Sequence, residues 1–121
     1  PNSDTYCGPS VFSESEIMAA RDFINNPINN IQAALDMHTF GELLLWPWQY
    51  TYDQLPQPYY GQFQELGQSL SDSIFAVNGV RYNSIQGSDL YPHSGGMIDY
   101  VWSHEDRQIV GFTYEGRGPG F

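Results

Sequence analysis

Asp36-Met37-His38-Thr39-Phe40-Gly41-Glu42-Leu43-Leu44-Leu45-Trp46-Pro47-Trp48 is the stretch on which the reading of the fold turns. An apolar run, Ile31 to Leu35, leads into it, and a second run, Leu43 to Trp48, closes it. Short apolar runs of this kind read as buried strands of an α/β sheet. His38 then falls at the carboxyl end of the first strand, where open α/β sheets place their ligands. With only three histidines in the chain, it is the first candidate for chemistry.

Outward from this stretch, helices and strands alternate. Ser13-Glu14-Ser15-Glu16 has the form of a capping box, and Ile17, Ala20, Phe23 and Ile24 follow at helical spacing until Pro27 ends the helix near Asn25. Residues 30–37 and 43–47 read as strands, and the segment with Pro47, Pro56 and Pro58 as irregular. A second helix is predicted over 59–77, with Phe63, Leu66, Leu70, Ile74 and Val77 on one face and Gly79 as its stop. A strand around 81–85, a polar loop 86–90, a third helix from Ser94-Gly95-Gly96 to about Ser103, and a strand over 107–115 complete the pattern. The expected fold is α/β, a mixed, mostly parallel sheet flanked by helices.

Composition narrows the function. The chain has 121 residues, a size for one domain, and 16% aromatics, too many for a disordered tail. Its net charge is −10, with four arginines and no lysine, which disfavours nucleic acid and anionic membrane as partners. Lysine depletion with acidity suits a secreted protein. No apolar run reaches transmembrane length and no leader is evident; Pro1 opens a polar stretch, as in a mature product or a fragment. Cys7 is the one cysteine, so no internal disulfide is expected.

Two predicted strands end in residues suited to chemistry, His38 and Glu115. Neutral imidazole is a good zinc ligand, and a carboxylate beside a metal-bound water is a good general base. Both residue types also serve as plain structural or solvated groups at strand ends. Spacing alone defines no zinc site, because the chain has no His-x-x-Glu and no His-x-x-x-His pair.

Five blocks occur in a telling order: Asp4-Thr5-Tyr6-Cys7-Gly8-Pro9, Phe12-Ser13-Glu14-Ser15-Glu16, His38 to Trp48, Leu90-Tyr91-Pro92-His93-Ser94-Gly95-Gly96-Met97-Ile98-Asp99, and Gly111-Phe112-Thr113-Tyr114-Glu115. Together they closely resemble the C-terminal part of the zinc metallocarboxypeptidases of the carboxypeptidase A/B type, over nearly the whole chain. The resemblance implies that His38 is the third zinc (Zn2+) ligand. It implies that Glu115 is the general base and then the proton donor, and that Tyr91 is the mobile tyrosine that closes over the substrate's last residue. Ile98 matches the base of the specificity pocket, where enzymes that cut before Lys or Arg carry an aspartate. An isoleucine there implies aromatic or aliphatic C-terminal side chains, since a Lys or Arg head in an apolar pocket loses its hydration. Leu45, Leu90 and Thr113 match further pocket-lining positions, and cis peptide bonds are implied at Thr39-Phe40 and Pro47-Trp48.

Departures from the family pattern accompany the match. His93 stands where a small residue is usual beside the pocket; it either narrows the pocket and ties preference to pH or faces outward. Gln49 also replaces a small residue at the rim. The tail after Glu115, Gly116-Arg117-Gly118-Pro119, follows the family's pattern poorly. The family's His-x-x-Glu ligands, its carbonyl-polarising arginine and the Asn-Arg pair for the terminal carboxylate are not in this sequence. A catalytic zinc needs three protein ligands. The expectation is therefore that residues 1–121 are the C-terminal portion of a single peptidase catalytic domain. Alone the chain would be inactive; its partners would be peptide or protein C-termini and the N-terminal half of the same enzyme, to which the resemblance links Cys7. The alternative is an inactive carboxypeptidase-like binding protein.

Overall fold

The computed structural model describes residues 8–104 and 108–118. Cys7 and the last three residues lie outside them, so the expectations for Cys7 and the extreme tail have no structural counterpart. The chain divides between Gln32 and Ala33 into two compact units. No helix among the described residues is long and apolar enough to cross a membrane.

The first unit holds α1 (Ser15–Asn25) and a 3-10 turn at Pro27–Asn29. The helix ends where Pro27 requires, but the capping box does not form. Glu14, not Ser13, is the N-cap and makes no side-chain cap hydrogen bond; Ser13 stands one residue before it, and its hydroxyl donates to Glu14 Oε1 at 2.9 Å. Of the apolar positions at helical spacing, Ile24 is buried, whereas Ile17 and Phe23 are exposed.

The second unit carries β1 (Ala33–Thr39), β2 (Leu43–Trp46), α2 (Tyr59–Asn78), β3 (Asn83–Gln86), α3 (Gly87–Leu90), α4 (Met97–Trp102) and β4 (Val110–Gly116). The four strands lie in the order β1-β4-β2-β3. The pairs β1–β4 and β2–β3 are parallel and β2–β4 is antiparallel, giving the mixed, mostly parallel sheet expected. The first apolar run is not a buried strand, however. It forms the sheet's edge, with Leu35 and Met37 exposed, and it begins at Ala33 and includes His38. Residues 87–90 form a short helical turn rather than a loop. The peptide bonds Thr39-Phe40 and Pro47-Trp48 are cis, as implied, and so is Gln57-Pro58.

Alternation along the strands separates two faces. Leu44 and Trp46 of β2 and Phe112 of β4 join Phe63 of α2, Tyr82, Leu55 and Trp102 in the buried core. Phe63 is central to it: its ring meets Trp102 edge-on at 5.0 Å and Phe112 at 5.6 Å between centroids, separations at which aromatic pairs attract beyond simple burial. The helix face follows its pattern in part: Phe63 is buried and Leu70 and Ile74 pack against the core. Phe63, Gly67 and Ser71 are its buried residues, and Leu66 and Val77 are exposed. The reason is close approach. A Cβ at Gly67 would lie 2.0 Å from Ser84 Oγ, 2.9 Å from Ser84 Cβ and 3.3 Å from the Phe112 ring. Ser71 Oγ donates to the Tyr82 carbonyl at 2.5 Å, so a small polar residue takes a position that an apolar residue would fill in a wider interface. Gly79, at φ 75, caps the helix with its N–H on the Phe75 carbonyl, the left-handed C-cap that glycine favours.

Overpacking in Gly67→Ala costs about 1–3 kcal/mol against the ~1 kcal/mol that alanine gains in a helix interior, and the clash with Ser84 Oγ puts the net loss near the upper end, about 2 kcal/mol. Denaturant midpoints measure the loss, and Ser84→Gly in the same molecule restores it by removing the obstructing side chain.

Candidate active site

The register of β1 against β4 builds the site. His38 pairs with Glu115, Asp36 with Thr113 and Ala34 with Gly111; on the other side of β4, Leu43 pairs with Glu115 and Leu45 with Thr113. Alternation places all of these on the sheet face opposite the aromatic core. Two residues 77 positions apart in sequence, His38 and Glu115, thus stand side by side at the carboxyl ends of neighbouring parallel strands.

His38 is held by its own strand. Its Nε2 lies 3.1 Å from Asp36 Oδ2, the two side chains being 51% and 28% exposed. A metal-bound histidine characteristically gives its second ring N–H to a carboxylate, which fixes the tautomer and leaves the other nitrogen as ligand; here that ligand nitrogen would be Nδ1. Asp36 was not among the residues singled out from the sequence, although the Asp-x-His spacing puts both on one strand face. Glu115 is half-buried. The turn after β1 packs close to it: a Cβ at Gly41 would lie 3.3 Å from Glu115 Cβ, and the Gly41 N–H donates to the Gly116 carbonyl at 3.0 Å. The next turn residue, Glu42, pairs with Arg117 at 3.3 Å.

The candidate pocket residues sit further down the same face. Leu45 and Thr113 are buried neighbours. Ile98 has no exposure at all. A Cβ on Gly111 would lie 2.9 Å from Ile98 Cδ1, so α4 reaches β4 at a position that a glycine keeps open. Gln49, just beyond β2, is 2% exposed and was the residue most underrated from sequence. Its backbone N–H donates to both oxygens of Asp99 at 2.9 and 3.0 Å, and its carbonyl accepts from the His93 N–H at 2.9 Å. Burial pushes the Asp99 carboxyl above its ordinary value, against the opposing pull of the backbone N–H groups of Gln49 and Tyr50 and of nearby His93.

His93 is half-buried: its backbone is tied to Gln49, and its Nε2 lies 3.5 Å from where a Cβ on Gly96 would be. Leu90 and Tyr91 are exposed, and the Tyr91 ring contacts that of His93 at 5.4 Å. None of the hydrogen bonds or ring contacts among the described residues joins Tyr91 or Leu90 to His38 or Glu115.

The strand ends thus bring one imidazole, His38, and one carboxylate, Glu115, side by side. Among the described residues no group of three or more His, Cys, Asp or Glu side chains is placed to hold a metal ion. A family profile described as zinc carboxypeptidase matches residues 1–121, and the chain belongs to that family.

Among its relatives, rat carboxypeptidase B is 35% identical over the whole of this chain, and bovine carboxypeptidase A1 is 32% identical over 99% of it. The chain spans 28% of the length of each. Of the solved structures, thrombin activatable fibrinolysis inhibitor superposes with a TM-score of 0.83 at 26% identity, covering 95% of this chain and 28% of that one. The bovine form, in complex with tick carboxypeptidase inhibitor, superposes with a TM-score of 0.85 at 26% identity, over 98% of this chain and 39% of its own. The fold is therefore that of the carboxypeptidases.

Proposed function

We propose that the protein of which these residues form the C-terminal portion is a secreted zinc carboxypeptidase of the A type, releasing the last residue of peptides and proteins when that residue's side chain is uncharged. Zinc, when bound, would supply a polarised water and a Lewis acid for the scissile carbonyl. His38 would hold it through Nδ1, together with ligands from outside the described residues, while Asp36 orients the imidazole. Glu115 would take the proton of the attacking water and later deliver it to the leaving amine. The exposed edge strand β1, with Leu35 and Met37 bare, supports the reading that a further part of the same catalytic domain covers this side of the sheet.

The single observation that carries the preference for uncharged over basic side chains is Ile98, buried at the foot of the site face. It brings no charge to meet a Lys or Arg head, and Asp36, the carboxylate beside Thr113 in register, is engaged with His38. The relatives include both carboxypeptidase B and carboxypeptidase A1, so the distinction rests on this position. Zinc-loaded complete protein is expected to release leucine from a peptide ending in leucine at least about ten-fold faster than arginine from its arginine-ended counterpart, as desolvating an unpaired charge demands. A chelator should stop both reactions. Faster release of arginine would sink the A-type assignment, and a zinc-loaded preparation that releases neither would indicate a non-catalytic relative.

A further inference from the structure

We infer that Gln49 is a specificity-determining residue: it closes the side-chain pocket at the level of Thr113, so that the site takes C-terminal residues with short side chains, such as alanine, serine, threonine or valine, and excludes aromatic ones. This deepens the carboxypeptidase reading and rests on it.

Distance along β4 sets the argument. A strand advances about 3.3 Å per residue. Thr113 therefore lies roughly 7 Å below Glu115, and Gly111, against which Ile98 packs, roughly 13 Å below. A substrate side chain descending from Glu115 meets the Thr113 level before it reaches Ile98. At that level the Gln49 amide is already in place, its Nε2 donating to Thr113 Oγ1 at 3.0 Å. The side chain is wedged in a space made by two glycines. A Cβ on Gly87 would lie 2.6 Å from Gln49 Cγ, and one on Gly96 only 2.0 Å from Gln49 Oε1. Both ends of its backbone are tied, to Asp99 and to His93, so the residue has little freedom to withdraw. The room that an aromatic ring needs is taken.

The test uses the complete zinc-loaded protein with N-acylated dipeptides that differ only in the last residue. Wild type is expected to prefer threonine and valine over phenylalanine by about ten-fold in kcat/KM. Gln49→Gly opens the space, raises phenylalanine by about ten-fold or more and removes the threonine advantage. Gln49→Met keeps the bulk, so phenylalanine stays poor. Equilibrium dialysis of N-acetyl-threonine, N-acetyl-valine and N-acetyl-phenylalanine gives the same order without turnover. Equal treatment of phenylalanine and threonine by wild type, or an order unchanged in Gln49→Gly, overturns the inference. A zinc-loaded preparation that binds the N-acetyl ligands in the expected order but cleaves nothing rejects the peptidase reading and keeps Gln49's role. One that binds none of them overturns both.

Discussion

Glu115→Gln in the complete, zinc-loaded protein is expected to lower kcat by roughly 10²–10⁴-fold, the usual contribution of a positioned general base, with KM and zinc content nearly unchanged. Glutamine keeps the length and most of the shape of glutamate and removes only the ability to accept and carry a proton. Its side chain is half-buried at the end of β4, beside His38 on one side and Leu43 on the other. The glycine at position 41 leaves it room, and the bond from the Gly41 N–H to the Gly116 carbonyl fixes the turn alongside. None of these supports depends on the carboxylate charge, so folding should survive the change. Glu115→Asp is the companion variant. It retains the charge but draws it back by one methylene, and loses activity through misplacement, an effect that an ångström can make large. Single-turnover measurements with a chromogenic peptide separate the chemical step from binding. Full activity in Glu115→Gln would mean that another group takes the proton.

The same pair shows how far reading from sequence could reach. His38 and Glu115 were each legible as strand-end residues, because apolar runs bounded by turn residues mark strands. Their adjacency was not legible from pattern, since pairing β1 with β4 joins segments across most of the second unit and no local signal encodes that register. It came instead from the resemblance to a family. Asp36 was within reach of the period-two rule and was passed over. Gln49 was harder to see: it lies in an aromatic and proline-punctuated stretch without periodicity, and a glutamine there reads as rim until the glycines at 87 and 96 are seen to make a place for it. The helices were legible in part. Local pattern places Phe63, Leu70 and Ile74 of α2 toward the core, where they are, but it also assigns Leu66 and Val77 there, whereas close approach puts Gly67 and Ser71 in the buried interface instead. At α1 the helix starts one residue later than the capping box requires, with Glu14 as N-cap.

His38→Ala is expected to abolish zinc retention, so that metal analysis after dialysis finds far less than one zinc per complete protein. A catalytic zinc held by three protein ligands loses both a bond and its preorganised geometry when one is removed. Asp36→Ala should weaken zinc by about 10–100-fold without abolishing binding, the usual effect of removing the carboxylate behind a metal-bound histidine. The order of the two effects is the informative part. Asp36 Oδ2 stands 3.1 Å from His38 Nε2, which makes the carboxylate a positioning group acting through the imidazole. The pair is substantially exposed, at 51% and 28% for the two side chains, so its value as a plain ion pair to stability is small. Both variants should therefore unfold at nearly the wild-type denaturant midpoint when each is measured without metal, and diverge from it only when zinc is added, because a ligand that binds the folded state alone raises apparent stability in proportion to its affinity. The zinc-dependent shift should be large in wild type, reduced in Asp36→Ala and absent in His38→Ala. An undiminished shift in Asp36→Ala would show that the metal orients the imidazole unaided, and one zinc retained by His38→Ala would remove His38 from the ligand set.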